Sequence, residues 1–360
     1  MTPKALWAGA ANLLGNCGGF GAGDELLIVH EDPVHGWYDA QIATAVAGEA
    51  RRLGLAVSVM GAPPTSQALA PWEAEAIHRA PHVVFLARLG DENRFETSDG
   101  RGGVGKRIMC YARDAAALAS SFGRVHHRAM VDFKAAVDAI LGSAGHIRIT
   151  CPLGTDIGGA PPALTATADG DVVVKRFPMA VPAPVAAADF TGVVAVARYL
   201  TPTGNRAYEP AVLVLDEPVF AQVAGGRIAG FVGSRGLVQR VERHYRTIAD
   251  QWGIDATAVH SWHAGIHPGC SYTSPARSDP NRWSNGIFPN PRVLHFHTCG
   301  AYPPGEICWN LVDATVTVDG AALWQQGRLR PEAFPATAQC LLDWPELKAL
   351  MAEPQDAIGL

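Results

Sequence analysis

D-E-L-L-I-V-H-E-D (24–32), Y-D-A-Q-I-A-T-A-V-A-G-E-A-R-R-L-G (38–54) and L-A-V-S-V-M (55–60) follow one another along the chain, and together they decide the fold. The first is a short apolar run that ends in charge. The second repeats its apolar residues at helical spacing and stops at Gly54, and the third resumes an extended apolar pattern. Strand, helix and strand in this order predict a parallel pair with the helix packed across it. The pattern continues outward: A-P-W-E-A-E-A-I-H-R-A (70–80) predicts a second helix and H-V-V-F-L-A (82–87) a third strand. Residues 1–144 are therefore expected to form an α/β domain with a mostly parallel sheet.

Beyond that point the texture changes. H-I-R-I-T-C-P-L-G-T-D-I-G-G (146–159), D-V-V-V-K-R-F-P (171–178), T-G-V-V-A-V-A-R-Y-L (191–200), A-V-L-V-L-D (211–216) and A-T-V-T-V-D-G (314–320) read as strands parted by Gly, Pro and Asp turns. Between them, G-L-V-Q-R-V-E-R-H-Y-R-T-I-A-D-Q-W-G (236–253) reads as one amphipathic helix that stops at its glycine. Residues 145–360 are expected to form a β-rich α+β domain, with no internal repeat and no low-complexity segment.

Composition narrows the function classes. The 360 residues can bury a large core, and 48% hydrophobic with 18% charged residues is an ordinary globular balance. A net charge of −5 without a block of Lys or Arg offers no footprint for a nucleic-acid backbone. No apolar run approaches the roughly 18 residues needed to span a bilayer. M-T-P-K-A-L-W-A-G-A-A-N-L-L-G lacks a signal-peptide core, and seven widely spaced cysteines contain no C-x-x-C pair. These features predict a reduced, cytoplasmic protein that acts on a small molecule or a short peptide. G-G-F-G-A-G (18–23) has a Gly-rich spacing but precedes the first strand, whereas a dinucleotide loop must follow a strand and open a helix. It is expected to be an entry loop. D-E-N-R-F-E-T-S-D-G-R-G-G-V-G-K (91–106), placed after a strand, is expected to be a polar loop with room for a role facing substrate.

Five of the thirteen histidines lie in H-S-W-H-A-G-I-H-P-G (260–269) and L-H-F-H-T-C-G-A-Y-P-P-G-E-I-C-W (294–309). Imidazole is the commonest protein metal ligand and the usual proton carrier near neutral pH. His295 and His297 would point the same way from a strand, and His260 and His263 would share a face on a helical turn. Glu306 adds the carboxylate that many catalytic metal sites carry beside imidazoles. His267, before Pro-Gly, is expected to shape a turn. Cys299 and Cys308 flank the same loop, where a neighbouring histidine could activate a thiolate, although free cysteine is more often simply buried. The set fits a divalent metal ion, a metal-free His/Glu acid–base site, or structural histidines.

The segment D-E-L-L-I-V-H-E-D-P with its following helix and L-G-L-A-V-S-V-M resembles the N-terminal domain of the aminopeptidase T / aminopeptidase S metallopeptidases. The resemblance continues through I-R-I-T-C-P-L-G-T-D-I (147–157), G-G-R-I-A-G-F (225–231), the G-I-H-P turn (265–268) and L-V-D-A-T-V-T-V-D-G (311–320). It covers most of the chain in order. The same superfamily includes 2,5-dihydroxypyridine 5,6-dioxygenase, so the resemblance implies either peptide hydrolysis or oxygen chemistry.

In that family a ligand histidine precedes a tyrosine by seven residues, as His295 precedes Tyr302 here. Where the family carries H-x-D, this sequence has Glu306-Ile307-Cys308, and at a further ligand position it has Ser261 or, shifted by one, His260. F-P-M-A-V (177–181) lacks the glutamate that usually follows F-P. The resemblance therefore implies a centre altered from the dinuclear type. It would hold one divalent cation, Zn, Mn or Fe, on His295, Glu306 and His260 or His263, with His297 in contact with the metal or just behind its ligands. Tyr302 would stabilise an oxyanion, and Glu306, where not a ligand, or a free histidine would accept a proton.

The leading expectation is a metal-dependent hydrolase of a small amide or peptide-like substrate, aminopeptidase-like without being a general aminopeptidase. A mononuclear non-haem iron dioxygenase that cleaves a hydroxylated aromatic or heteroaromatic ring is the alternative. A metal-free His/Glu/Cys enzyme or small-molecule binder stands third. The resemblance also implies a homodimer with its active site in the C-terminal domain.

Overall fold

The computed structural model describes residues 2–93, 105–161, 174–204, 208–300 and 306–360. The chain divides into two compact units, Met1–Asp132 with Asp169–Ala180 and Phe133–Ala168 with Val181–Leu360.

In the first unit β1 (Glu25–Glu31), β2 (Ala56–Ala62), β3 (His82–Leu86) and β4 (Arg107–Cys110) run parallel, with β1 between β2 and β3. Leu26, Leu27, Ile28 and Val29 are all buried. A central parallel strand covered on both faces reads as a continuous apolar run for this reason. The crossover helix Ala40–Arg52 begins where the Asp39 carboxylate accepts the Ile42 N–H at 2.9 Å. It buries Ile42, Val46, Ala47 and Ala50 and ends just before Gly54, whose φ of +83° is one that glycine adopts without penalty. The Gly-rich segment 18–23 leads into β1 from helical residues 12–17 and opens no helix after a strand.

β5 (Ile147–Thr150) and β6 (Asp156–Gly159) begin the sheet of the second unit, while β7 (Lys175–Phe177) pairs with β4 in the first. Then come β8 (Val185–Ala186), β9 (Thr191–Pro202), β10 (Leu213–Ala224), β11 (Arg227–Val232), β12 (Val259–Ala264) and β13 (Val293–Thr298). β14 (Ile307–Val312), β15 (Thr315–Val318), β16 (Ala321–Gln325) and β17 (Arg328–Leu329) complete the series. Among the described residues, the twelve strands of this unit form one antiparallel sheet. A parallel α/β unit together with a β-rich unit is the fold class that the sequence predicts. Among the described residues no helix is long and apolar enough to cross a membrane.

Three neighbouring strands, β12, β13 and β14, carry most of the candidate site, and their pleat sorts the side chains. Phe296 stands opposite Trp262 and Trp309, and Leu294 stands opposite Ala264 and Leu311, so one face is apolar. The helix Arg235–Trp252 packs on that face through Tyr245, whose hydroxyl accepts the Trp309 indole N–H at 2.6 Å and lies 2.6 Å from Thr298 Oγ1. That helix stops at Gly253 with φ +63°, as its sequence predicts. The opposite face carries Ser261 and His263, then His297 and His295, then Cys308 and Asn310, then Thr201 of β9 beside Cys308.

H-S-W-H (260–263) is thus a strand and not a helical turn. Its aromatic Trp262 must enter the apolar face opposite Phe296, and extended backbone puts it there while turning Ser261 and His263 the other way. Simple alternation would send His260 away from His263. The register slips by one residue between Val259 and Ser261, making His260 the extra residue of a β-bulge, and the bulge brings it to the polar side.

Candidate metal centre

His263, His295 and His297 each offer a ring nitrogen, and these atoms lie within 4.8 Å of one another. A second group within the same limit joins His260, His297 and Glu306, so His297 belongs to both. Ring centroids stand 5.5 Å apart for His263 and His295, 5.0 Å for His263 and His297, and 5.7 Å for His260 and His297. The imidazoles of 263, 295 and 297 are buried, as is Glu306, and His260 is partly exposed.

Glu306 stands just before β14, where its backbone carbonyl accepts the Tyr208 hydroxyl at 2.9 Å. Its Oε1 lies 2.6 Å from His260 Nε2. Ser261 Oγ lies between two imidazoles, 3.0 Å from His260 Nδ1 and 3.1 Å from His297 Nδ1. Nothing in the sequence singled out this serine for a bridge. Its strand parity with His263 was the available signal, and the bulge that turns His260 toward it leaves no mark in the residue types.

The electrostatics suit a cation. Burial, reinforced by the charge of His297, pulls His295 down to about 3, so its imidazole is neutral and keeps a lone pair at neutral pH. Burial alone would raise Glu306, but the charge of His297 and the hydrogen bond and charge of His260 overcome it and hold the carboxyl down at about 2. A neutral imidazole beside a carboxylate is the donor chemistry that divalent Zn, Mn and Fe accept. His295 Nε2 is buried and has no hydrogen-bond partner among the described residues. An orphaned ring nitrogen of this kind costs free energy unless something binds it, so the residues present fit a metal ion.

Other candidates fall outside the cluster. His267 Nδ1 accepts the Gly269 N–H at 3.2 Å, which ties the ring into its own turn. Cys308 shares the polar face, but burial and the nearby Glu306 charge push its thiol well above the ordinary range, and burial pushes Cys299 up to about 12. Neither sulfur has the electropositive surroundings that make a thiolate. Asn310, Ser284 and Thr201 close a hydrogen-bonded ring: Asn310 Nδ2 donates to Thr201 at 3.3 Å, Thr201 to Ser284 at 2.9 Å, and Ser284 to Asn310 Oδ1 at 2.9 Å. That ring ties three buried polar side chains to one another and stiffens the sheet beside the histidines. Tyr302 and most of the 91–106 loop lie outside the described residues.

Burial of neutral histidines carries a cost in acid. His295, held at about 3, and His244 and His127, each held at about 4 chiefly by burial, are all depressed below the usual value of 6.5. The unfolded chain therefore takes up protons that the folded one refuses between pH 6.5 and 4, and stability falls as pH falls through that window. Glu306, depressed from 4.5 to about 2, adds to the loss only below pH 4.5. Chelator-treated protein is expected to lose about 3 kcal/mol per pH unit below 6.5, roughly 1.4 from each of the three histidines less incomplete titration. Urea unfolding at pH 7, 6 and 5 measures it, and a flat profile would mean that these rings are not buried in the neutral form.

No protein-family model matches the chain, and no curated protein matches it. Solved structures do. A 2,5-dihydroxypyridine dioxygenase from Pseudomonas putida aligns over 94% of this chain and 99% of its own, with a TM-score of 0.58 and 12% identity. Wild-type AmpT from Thermus thermophilus aligns over 91% of this chain and 100% of its own, with a TM-score of 0.50 and 14% identity. At these identities the likeness is one of fold, and it spans both units.

Proposed function

We propose that the chain is a metal-dependent hydrolase of a small amide or peptide-like substrate. The observation that carries this reading is the set of three imidazoles, His263, His295 and His297, on one buried strand face, with the Glu306–His260 pair against it. Three imidazoles with a fourth position open are a known arrangement for a catalytic zinc ion. A divalent cation in that set would supply Lewis acidity toward a carbonyl and toward water. Glu306, kept ionised beside His260, is the proton acceptor, and His260 relays charge to and from it. Tyr302, seven residues after His295, is the proposed donor to the oxyanion. The net charge of −5 favours a small neutral or cationic substrate over a polyanion.

A second reading, a non-haem iron dioxygenase acting on a hydroxylated ring, draws support from two observations. His260, His297 and Glu306 make a two-histidine, one-carboxylate group, and the dioxygenase from Pseudomonas putida shares the fold at a TM-score of 0.58. Metal analysis of untagged protein, with amide hydrolysis and oxygen uptake measured side by side, separates the two. The hydrolase reading expects near-stoichiometric zinc or manganese and turnover indifferent to anaerobiosis. Metal-loaded protein inert toward a broad amide and peptide panel would overturn it, and oxygen uptake that requires ferrous iron would establish the second reading.

A further inference from the structure

We propose that residues Gln355–Gly359 are a strap that sets the metal centre: they order the long connection between β12 and β13, residues 265–292, and so hold His263 opposite His295, with Asn290 as the positioning residue. The inference rests on the metal-binding reading above and assigns the restraint that keeps its two histidine strands in place.

β12 and β13 are antiparallel neighbours. In a hairpin the register of such a pair is fixed by a short turn. Here residues 265–292 intervene and carry a helix of their own, Pro280–Ile287, so no tight turn contributes. A connection of this length has to be ordered by other contacts.

Gln355–Gly359 supplies them, because every carbonyl in it accepts a hydrogen bond from that connection. Gln355 takes the Asn290 side-chain amide at 3.0 Å and Asp356 takes Arg292 Nη1 at 2.8 Å. Ala357 takes the Tyr272 N–H at 2.8 Å, Ile358 the Trp283 indole N–H at 2.6 Å, and Gly359 the Ala276 N–H at 2.8 Å. The Gln355 N–H returns a bond to the Pro268 carbonyl at 2.7 Å. Ile358 is buried and anchors the strap.

Two routes lead from the strap to the histidines. Asn290, fully buried, donates to the Cys270 carbonyl at 2.7 Å as well as to Gln355, and its Oδ1 accepts the Arg292 N–H at 2.9 Å. It thereby joins both arms of the connection near the point where the Gly265 N–H meets the Val293 carbonyl at 3.1 Å and the His267 N–H meets that of Pro289 at 2.9 Å. The second route runs through Trp283. Its neighbour Ser284 donates to Asn310, which stands opposite His295 on β14. Ligands must be held within about 0.5 Å of their working geometry, so a connection free to drift weakens metal binding without any ligand being changed.

Gly359→Val tests this without touching either route. The φ of Gly359 is +76°, and a Cβ there would lie 2.6 Å from the Ser274 carbonyl oxygen and 2.9 Å from the Tyr272 ring, so the substitution should dislodge the strap. Asn290→Ala cuts the strap from the connection instead. Hydrogen exchange of the metal-free full chain, read by mass spectrometry, and zinc affinity, read by competition with a chelator, are measured on both. Each variant is expected to lose protection across 265–276 and 288–293 while β1 and β3 keep theirs, and to bind zinc about 10–100-fold more weakly, the usual loss when an outer support is removed. Ile157→Ala, a cavity in the buried face of β6, is the control: it should lower stability and leave zinc affinity unchanged. Protection unchanged in both variants would overturn the strap. Protection lost with zinc affinity unchanged, or an equal loss of affinity in Ile157→Ala, would overturn its hold on the metal centre. The metal reading fails separately: a wild type that takes up no divalent ion would remove it, and lost protection in Gly359→Val would still establish that the strap orders the connection.

Discussion

Replacing His295 by alanine is expected to strip the protein of its metal and its activity while leaving it folded. His295 is buried, neutral at any physiological pH, and holds an Nε2 that no described residue satisfies. Losing a residue that merely supports a ligand costs about 10–100-fold in affinity, so losing a ligand itself should exceed 100-fold and leave the purified variant with little bound ion. Turnover should fall with occupancy. Stability should respond differently in the two states. In the metal-free protein the substitution removes a side chain with a costly orphan atom, and the cavity penalty and the relieved desolvation partly cancel, to within about 1–2 kcal/mol. In the metal-loaded wild type the ion adds about 1.4 kcal/mol for each tenfold excess over its dissociation constant, and the variant forgoes that. Metal analysis and thermal unfolding with and without added zinc measure both effects. A variant that keeps stoichiometric metal and full turnover would show that the centre is not built on His295.

The fold and the site differ in how plainly the sequence announced them. The βαβ pattern in residues 24–60 is legible because a central parallel strand is apolar throughout and its crossover helix repeats at another period. The helix Arg235–Trp252 is legible for a similar reason, with Gly253 marking its end. β13 declares itself through H-F-H, since alternation on a strand places His295 and His297 together with Phe296 behind them. β12 does not. His260 and His263 are three apart, a helical interval, and only the pairing of Trp262 with Phe296 and the slipped register at His260 make a strand of that segment. A bulge is settled by cross-strand partners distant in sequence, so spacing alone could not reveal that both histidines reach one face. The Ser261 bridge depends on the same bulge, and it too becomes visible only when the strands are paired.

Glu306→Gln separates the chemistry from the metal. Glutamine keeps an oxygen within reach of His260 but can neither hold a charge nor take a proton. With the ion on His263, His295 and His297, the variant should purify with wild-type zinc while its hydrolytic rate falls about 10²–10⁴-fold, the usual contribution of a positioned proton acceptor. The fall should appear in kcat more than in KM, because proton transfer is felt in the transition state and not in binding. His260→Asn should lower the rate as well, and the double variant should lose little more than Glu306→Gln alone, since two residues that act as one relay are not additive. Loss of metal from Glu306→Gln would be a different finding. It would make the carboxylate a ligand, place the ion with His260 and His297, and bring the centre to the two-histidine, one-carboxylate form that suits ferrous iron. Metal stoichiometry, measured before any substrate is tried, therefore divides proton transfer at an imidazole-bound zinc from oxygen chemistry at iron.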